Sequence, residues 1–166
     1  MLGQHVIAPG KSATLTINYK TYKFPGKFDK QVYIETSLPE QAKQTINIHG
    51  FVDAMPMGEL EVAPRKIVVK GLIKGKETLV PIHVKNVGND ILTLTNIISK
   101  KHKTVLYDAA IKGTIVLTPG ESRIIELPLT PTKAGRFLDF FMLHATDGRN
   151  VYDNGYKAVV VGQVAE

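Results

Sequence analysis

Apolar residues recur at every second position in short runs along this chain, and Pro, Gly, Asn and Asp separate the runs. Leu15, Ile17 and Tyr19 form one alternating set, Phe28, Val32 and Ile34 a second, and Ile46, Ile48 and Val52 a third. A period of two gives a strand one apolar face, so the pattern predicts strands over 12–19, 28–36 and 44–52. Downstream, Leu60-Glu-Val62 and Ile67-Val-Val69 predict two short strands on either side of Ala63-Pro64. Val80, Ile82 and Val84 alternate across 77–85, with Pro81 requiring an outward or edge-facing position. Asn86-Val-Gly-Asn-Asp90 reads as a turn before a strand over 91–98. Runs at 105–107, 114–117, 122–129, 137–146 and 156–164 complete the series. No useful length of helical period interrupts it, which predicts an all-β sandwich.

Part of the pattern occurs twice. Ile7-Ala-Pro-Gly-Lys-Ser12 is echoed by Leu117-Thr-Pro-Gly-Glu-Ser122, Pro25-Gly-Lys-Phe28 by Ala134-Gly-Arg-Phe137, and Ile48-His-Gly-Phe-Val52 by Val160-Val-Gly-Gln-Val164. The offsets are 110, 109 and 112 residues, the length of one immunoglobulin-like domain. The apolar phase agrees as well. Ile125, Leu127 and Leu129 answer the first set, Phe137, Phe141 and Leu143 the second, and Ala158, Val160 and Val164 the third. The expected architecture is therefore an immunoglobulin-like β-sandwich: one complete repeat over 56–166, preceded in 1–55 by the C-terminal three strands of another. Three such strands have no opposite layer to cover their apolar face. The expectation is that about 50–55 residues of the first repeat belong upstream of Met1, and that 1–55 packs on another chain or on the complete domain, with strand exchange between copies as its form.

The order of Gly58-Glu-Leu-Glu-Val-Ala-Pro64, Lys74-Gly-Lys-Glu77, Val84-Lys-Asn-Val-Gly-Asn-Asp-Ile-Leu92, Thr118-Pro-Gly-Glu-Ser122 and Ala134-Gly-Arg-Phe137 resembles a bacterial domain-of-unknown-function family of Ig-like repeats. That family is related to the ASH and major-sperm-protein-like domains. The resemblance implies an exported protein, periplasmic or on the cell surface, that serves as a structural or protein-interaction module and carries out no reaction. Its implied partners are other proteins or further repeats of the same protein.

Composition narrows the chemistry. The chain has no cysteine, so it has neither a disulfide framework nor thiolate chemistry. No run approaches a membrane-spanning helix. Lys and Arg exceed Asp and Glu by six, for a pI near 9.4, which raises a polyanion, an acidic glycan or nucleic acid, as the alternative ligand class. The charge is dispersed except at Lys100, Lys101 and Lys103, around His102. These three lysines are the candidate anion contacts, with a solvated loop as the plainer reading. No aromatic residues interleave with them, which argues against a nucleic-acid platform.

Nothing catalytic emerges. Histidines 5, 49, 83, 102 and 144 lack ligand spacing, and His49, His83 and His144 fall opposite the apolar phase of their strands. Asp147, Asn150, Asp153 and Asn154 supply oxygens that Ca²⁺ favours, yet Asn, Asp and Gly are equally the residues of turns, and a hairpin connection is the expectation there. Asp139 sits on an apolar phase, as Lys30 does at the matching position. Both read as strand irregularities near an edge. No catalytic residue, metal site or cofactor is predicted.

Overall fold

The structure is a computed structural model that describes residues 6–37, 40 and 42–166. The chain divides into two compact units, Met1–Met55 and Pro56–Glu166.

The second unit contains nine strands: β3 (Leu60–Val62), β4 (Lys66–Ile73), β5 (Thr78–Asn86), β6 (Leu92–Ser99), β7 (Thr104–Asp108), β8 (Ile115–Leu117), β9 (Ser122–Leu129), β10 (Gly135–Thr146) and β11 (Tyr156–Ala165). A one-turn helix, α1 (Ala109–Lys112), lies between β7 and β8. One sheet has the order β3-β5-β9. The other runs β4-β11-β10-β6-β7, with β8 also on β6. Consecutive strands thus distribute between two layers as in an immunoglobulin sandwich, with the final two strands beside the third long one. β7 pairs with β6 along 96–99 and β8 along 92–94, so α1 interrupts what is in effect one broken edge strand.

The core fills the space between the sheets. Ile82, Leu127, Leu94, Phe141, Leu143, Ala158 and Val160 are fully or almost fully buried. Their strands alternate inward and outward, so the period-two pattern becomes the sandwich interior directly. β4 pairs in parallel with β11, Ile67 opposite Val160, while every other pairing in the unit's sheets is antiparallel.

The first unit forms one hairpin, β1 (Gly26–Glu35) with β2 (Lys43–Val52). Its register reproduces that of β10 and β11. Gly26 faces Val52 and Phe28 faces Gly50, as Gly135 faces Val164 and Phe137 faces Gly162. Gly26 and Gly135 share a φ near +100°, and both Pro-Gly turns close with the same backbone bond, Lys11 N–H to Ala8 and Glu121 N–H to Thr118, each 3.0 Å. Residues 12–19 differ from expectation, because only Leu15 has bridge geometry there. The matching strand, β9, pairs with β5 alone, and 1–55 holds no counterpart of β5. The segment still reaches the hairpin: the Tyr19 ring packs 4.8 Å from that of Phe28. No described residue of this unit is buried to the degree of the core just described, and Ile46, Ile17 and Tyr19 are about 40% exposed.

Candidate interaction surfaces

Because Phe137, Phe141 and Leu143 face the core, alternation turns Leu138, Phe140 and Met142 to the opposite face of the larger sheet. Their cross-strand neighbours there are also apolar. Leu138 lies opposite Val161 and Val161 opposite Val68; Phe140 lies opposite Val159; Met142 lies opposite Ile98 and Ile98 opposite Val105. Val68 and Val105 are more than half exposed, whereas Met142 is nearly covered by its neighbours. Cations edge the patch. Lys66, Lys70 and Arg136 line a groove of about 530 Å³ over Val68 and Val161, and the Lys157 ammonium lies 5.5 Å from the Phe140 ring centroid. The homologous outward positions of β1 and β2 are Asp29, Gln31, Tyr33, Asn47 and His49, followed along β2 by the exposed Phe51, where β11 has Gln163. An apolar outer face is therefore not something this fold demands.

Lys100, Lys101 and Lys103 occupy the turn between β6 and β7. Asp139 builds that turn, and it corrects the expectation of an edge irregularity: β10 lies between β11 and β6, and Asp139 is fully buried. Its carboxylate accepts from Ser99 Oγ at 2.5 Å, from the Lys101 amide at 3.1 Å and from its neighbour Phe140's amide at 2.7 Å. Ser99 Oγ in turn accepts from the His102 amide at 3.2 Å. A carboxylate removed from water needs such partners, and here they fix the turn's backbone. Lys103 completes it with φ of 54°.

The three lysines differ in their surroundings. Lys101 and His102 line a cleft of about 380 Å³ with Thr132, Lys133, Ala134, Arg136 and Phe137, whereas Lys100 and Lys103 lie outside its lining. Lys133 and Arg136 come from the connection between β9 and β10. No spacing in the sequence relates them to Lys101, and the one signal nearby, Asp139 on an apolar phase, read as a strand irregularity.

The polar residues of the motifs are structural. Asn86 is fully buried: its Oδ1 accepts from the amides of Glu59 and Gly88, and its Nδ2 donates to the carbonyls of Asp90 and Leu117. Gly88 cannot carry a side chain, since a Cβ would stand 2.3 Å from the Met57 carbonyl oxygen. Asn150, one of the oxygens considered for Ca²⁺, turns its amide onto the backbone of Leu60. Among the described residues no three His, Asp or Glu side chains converge as a metal site. His49 and His83 are exposed and His144 half-buried, while His5 lies outside the described residues. No helix among the described residues is long and apolar enough to cross a membrane.

No family model and no curated protein matches the chain. Solved structures similar to it include the ASH/PapD-like domain 7 of human CEP192, with 12% identity over 69% of this chain and 91% of that one and a TM-score of 0.48. They also include the CARDB domain of a Pyrococcus furiosus protein, solved in complex with di-metal ions (23% identity, 66% and 90% coverage, TM-score 0.41). A third is a C. elegans member of the MSP family (8% identity, 64% and 97% coverage, TM-score 0.36). The immunoglobulin-like assignment follows from the strand order itself.

Proposed function

We propose that this chain is a non-catalytic interaction module of an exported, multi-repeat bacterial protein, periplasmic or on the cell surface. In this reading the second unit docks a protein partner through the outer face of its six-stranded sheet. The observation that carries the docking is the contrast between copies at the centre of the face: Asp29, Gln31, Asn47 and His49 stand where β10 and β11 have Leu138, Phe140, Val159 and Val161. Export and the larger repeat array draw on the internal repeat and the family resemblance. The absence of a reaction is supported by how the buried polar groups are used. Asn86, Ser99 and Asp139 spend their hydrogen bonds on backbone or on one another.

The partner's chemistry follows from the rim. Lys66, Lys70, Arg136 and Lys157 would oppose each other if two copies met face to face, and like charges so placed are repulsive. The fitting partner is a protein with an apolar patch fringed by carboxylates. In the first unit, the half-exposed inward set of β1 and β2 supports self-association of the incomplete repeat.

Photo-cross-linking in the native host tests the docking face. A cross-linker at Val161 should capture a defined protein that one at Glu126, on the outer face of the other sheet, does not. Val68→Asp should abolish that product, and raised salt should weaken it. Equal capture from both faces, or sedimentation with anionic vesicles in place of a protein product, would overturn the assignment.

A further inference from the structure

We propose that the cleft between the β6–β7 turn and the β9–β10 connection binds an anionic saccharide unit, a sugar bearing a sulfate, phosphate or carboxylate. The site is distinct from the protein-docking face, although Arg136 and Phe137 line both. Three cations, Lys101, Lys133 and Arg136, and the imidazole of His102 account for four of its seven lining residues, with no acidic side chain among the seven. The ion pairs formed among the described residues, Lys74 with Glu166, Arg123 with Glu121 and Arg149 with Glu59, engage none of the three. Their charge is available to a ligand.

One wall of the cleft, the β6–β7 turn, is also held in shape before any ligand arrives. Lys101 and His102 are positioned through their backbone amides by the buried Asp139–Ser99 pair. A site whose geometry is already fixed loses less entropy on binding. At about 380 Å³ it lies at the small end of ligand pockets, suited to one substituted sugar and not to a track along a polymer backbone. Arg136 offers a planar fork to two oxygens of the anionic group, and Thr132 offers a hydroxyl to the ring. Nucleic acid fits less well. Of the rings at the cleft, Phe137 is 6% exposed and lies parallel to His102 at 9° and 6.1 Å, which leaves the exposed His102 as a single ring where a strand of bases needs successive stacking platforms.

Binding of the full chain to a short heparin oligosaccharide, to single-stranded DNA of equal charge and to sodium sulfate tests this. The triple variant Lys101→Ala, Lys133→Ala, Arg136→Ala should lose at least about tenfold in heparin affinity and show a shallower salt dependence. A control triple, Lys11→Ala, Lys76→Ala, Lys85→Ala, removes the same charge from other exposed positions and should lose far less. Backbone amide shifts on titrating the unaltered chain should concentrate at 100–103 and 132–137, a readout that does not depend on any variant folding. Equal losses from both triples, or amide shifts scattered over the surface, would show attraction by net charge alone and sink the proposal. DNA binding tighter than heparin, or saturation by sulfate with no gain from the sugar, would overturn the saccharide assignment.

Discussion

Asn150 pairs with Leu60 as a neighbouring strand would: its Oδ1 accepts from the Leu60 amide at 2.9 Å and its Nδ2 donates to the Leu60 carbonyl at 2.8 Å. The amide and carbonyl of one residue in an extended strand point the same way, so a single side-chain amide satisfies both. β3 pairs with β5 along its other edge, and Asn150 closes the edge that would otherwise be open.

Replacing Asn150 by Ala therefore strips a donor and an acceptor from a part-buried backbone at once. The expected cost is about 1–3 kcal/mol, read from the midpoint of urea unfolding. Asn150→Asp should also destabilise, because a carboxylate cannot donate to the Leu60 carbonyl. An Asp variant as stable as the parent would show that the pairing does not close the edge.

Asn86 makes a stronger claim of the same kind. Four bonds converge on one buried amide, and Asn86→Leu leaves every partner to find another. A loss of at least about 2 kcal/mol is expected, with exchange protection lost first at the Glu59 and Gly88 amides.

The inward phase of the sandwich separates core from surface within a single strand. Ala at Ile125, Leu127, Phe141 or Leu143 should cost about 2–5 kcal/mol. Ala at Leu138, on the opposite face of β10, should cost well under half of that. Similar losses on both faces would mean that the outer face is as tightly packed as the core.

Glu121 adds a pH dependence with a definite sign. The Thr118 amide, then the Thr118 hydroxyl and Arg123, donate to its carboxylate and hold its pKa below the ordinary 4.5. A carboxylate depressed in the folded state contributes stability that is present above the ordinary value and fades as pH falls through the depressed one. The difference in melting temperature between the parent and Glu121→Gln should thus be constant near neutrality and close under acid conditions. A gap that persists unchanged into acid would assign the effect to something other than the charge. Glu121 is exposed, so the gap should be small.

Sedimentation velocity tests self-association of the first unit. The full chain should form concentration-dependent dimers or larger species, and 56–166 alone should sediment as a folded monomer. A monomeric full chain with β1 and β2 protected from hydrogen exchange removes the proposed role of 1–55.

The alternation of Val80, Ile82 and Val84, and of Ile125, Leu127 and Leu129, made two neighbouring strands of the smaller sheet legible from sequence, since the inward face of a strand follows its period of two. The parallel seating of β4 on β11 was not legible. Ile67 and Val160 are far apart in the chain, and nothing in either strand specifies direction. Residues 12–19 have the right alternation and still form no strand, because hydrogen bonds need a partner that periodicity does not supply. Asp139 shows the opposite failure. Its position violated the pattern, and the pattern alone could not distinguish an edge defect from a buried carboxylate organising a turn. The cleft it supports joins Lys101 to Lys133 and Arg136 through tertiary proximity only.

The parallel pairing of β4 with β11 also determines how the second unit would carry tension within a string of such repeats. Pulling on the two ends draws Lys66 and Ala165 away from each other along the strand axis, so the bonds joining β4 to β11 are loaded together and must yield together. An antiparallel terminal pair under the same load would peel open one bond at a time. β3 and its amide clamp would give way first, over three residues, and the β4–β11 seam would then bear the force as a single mechanical element.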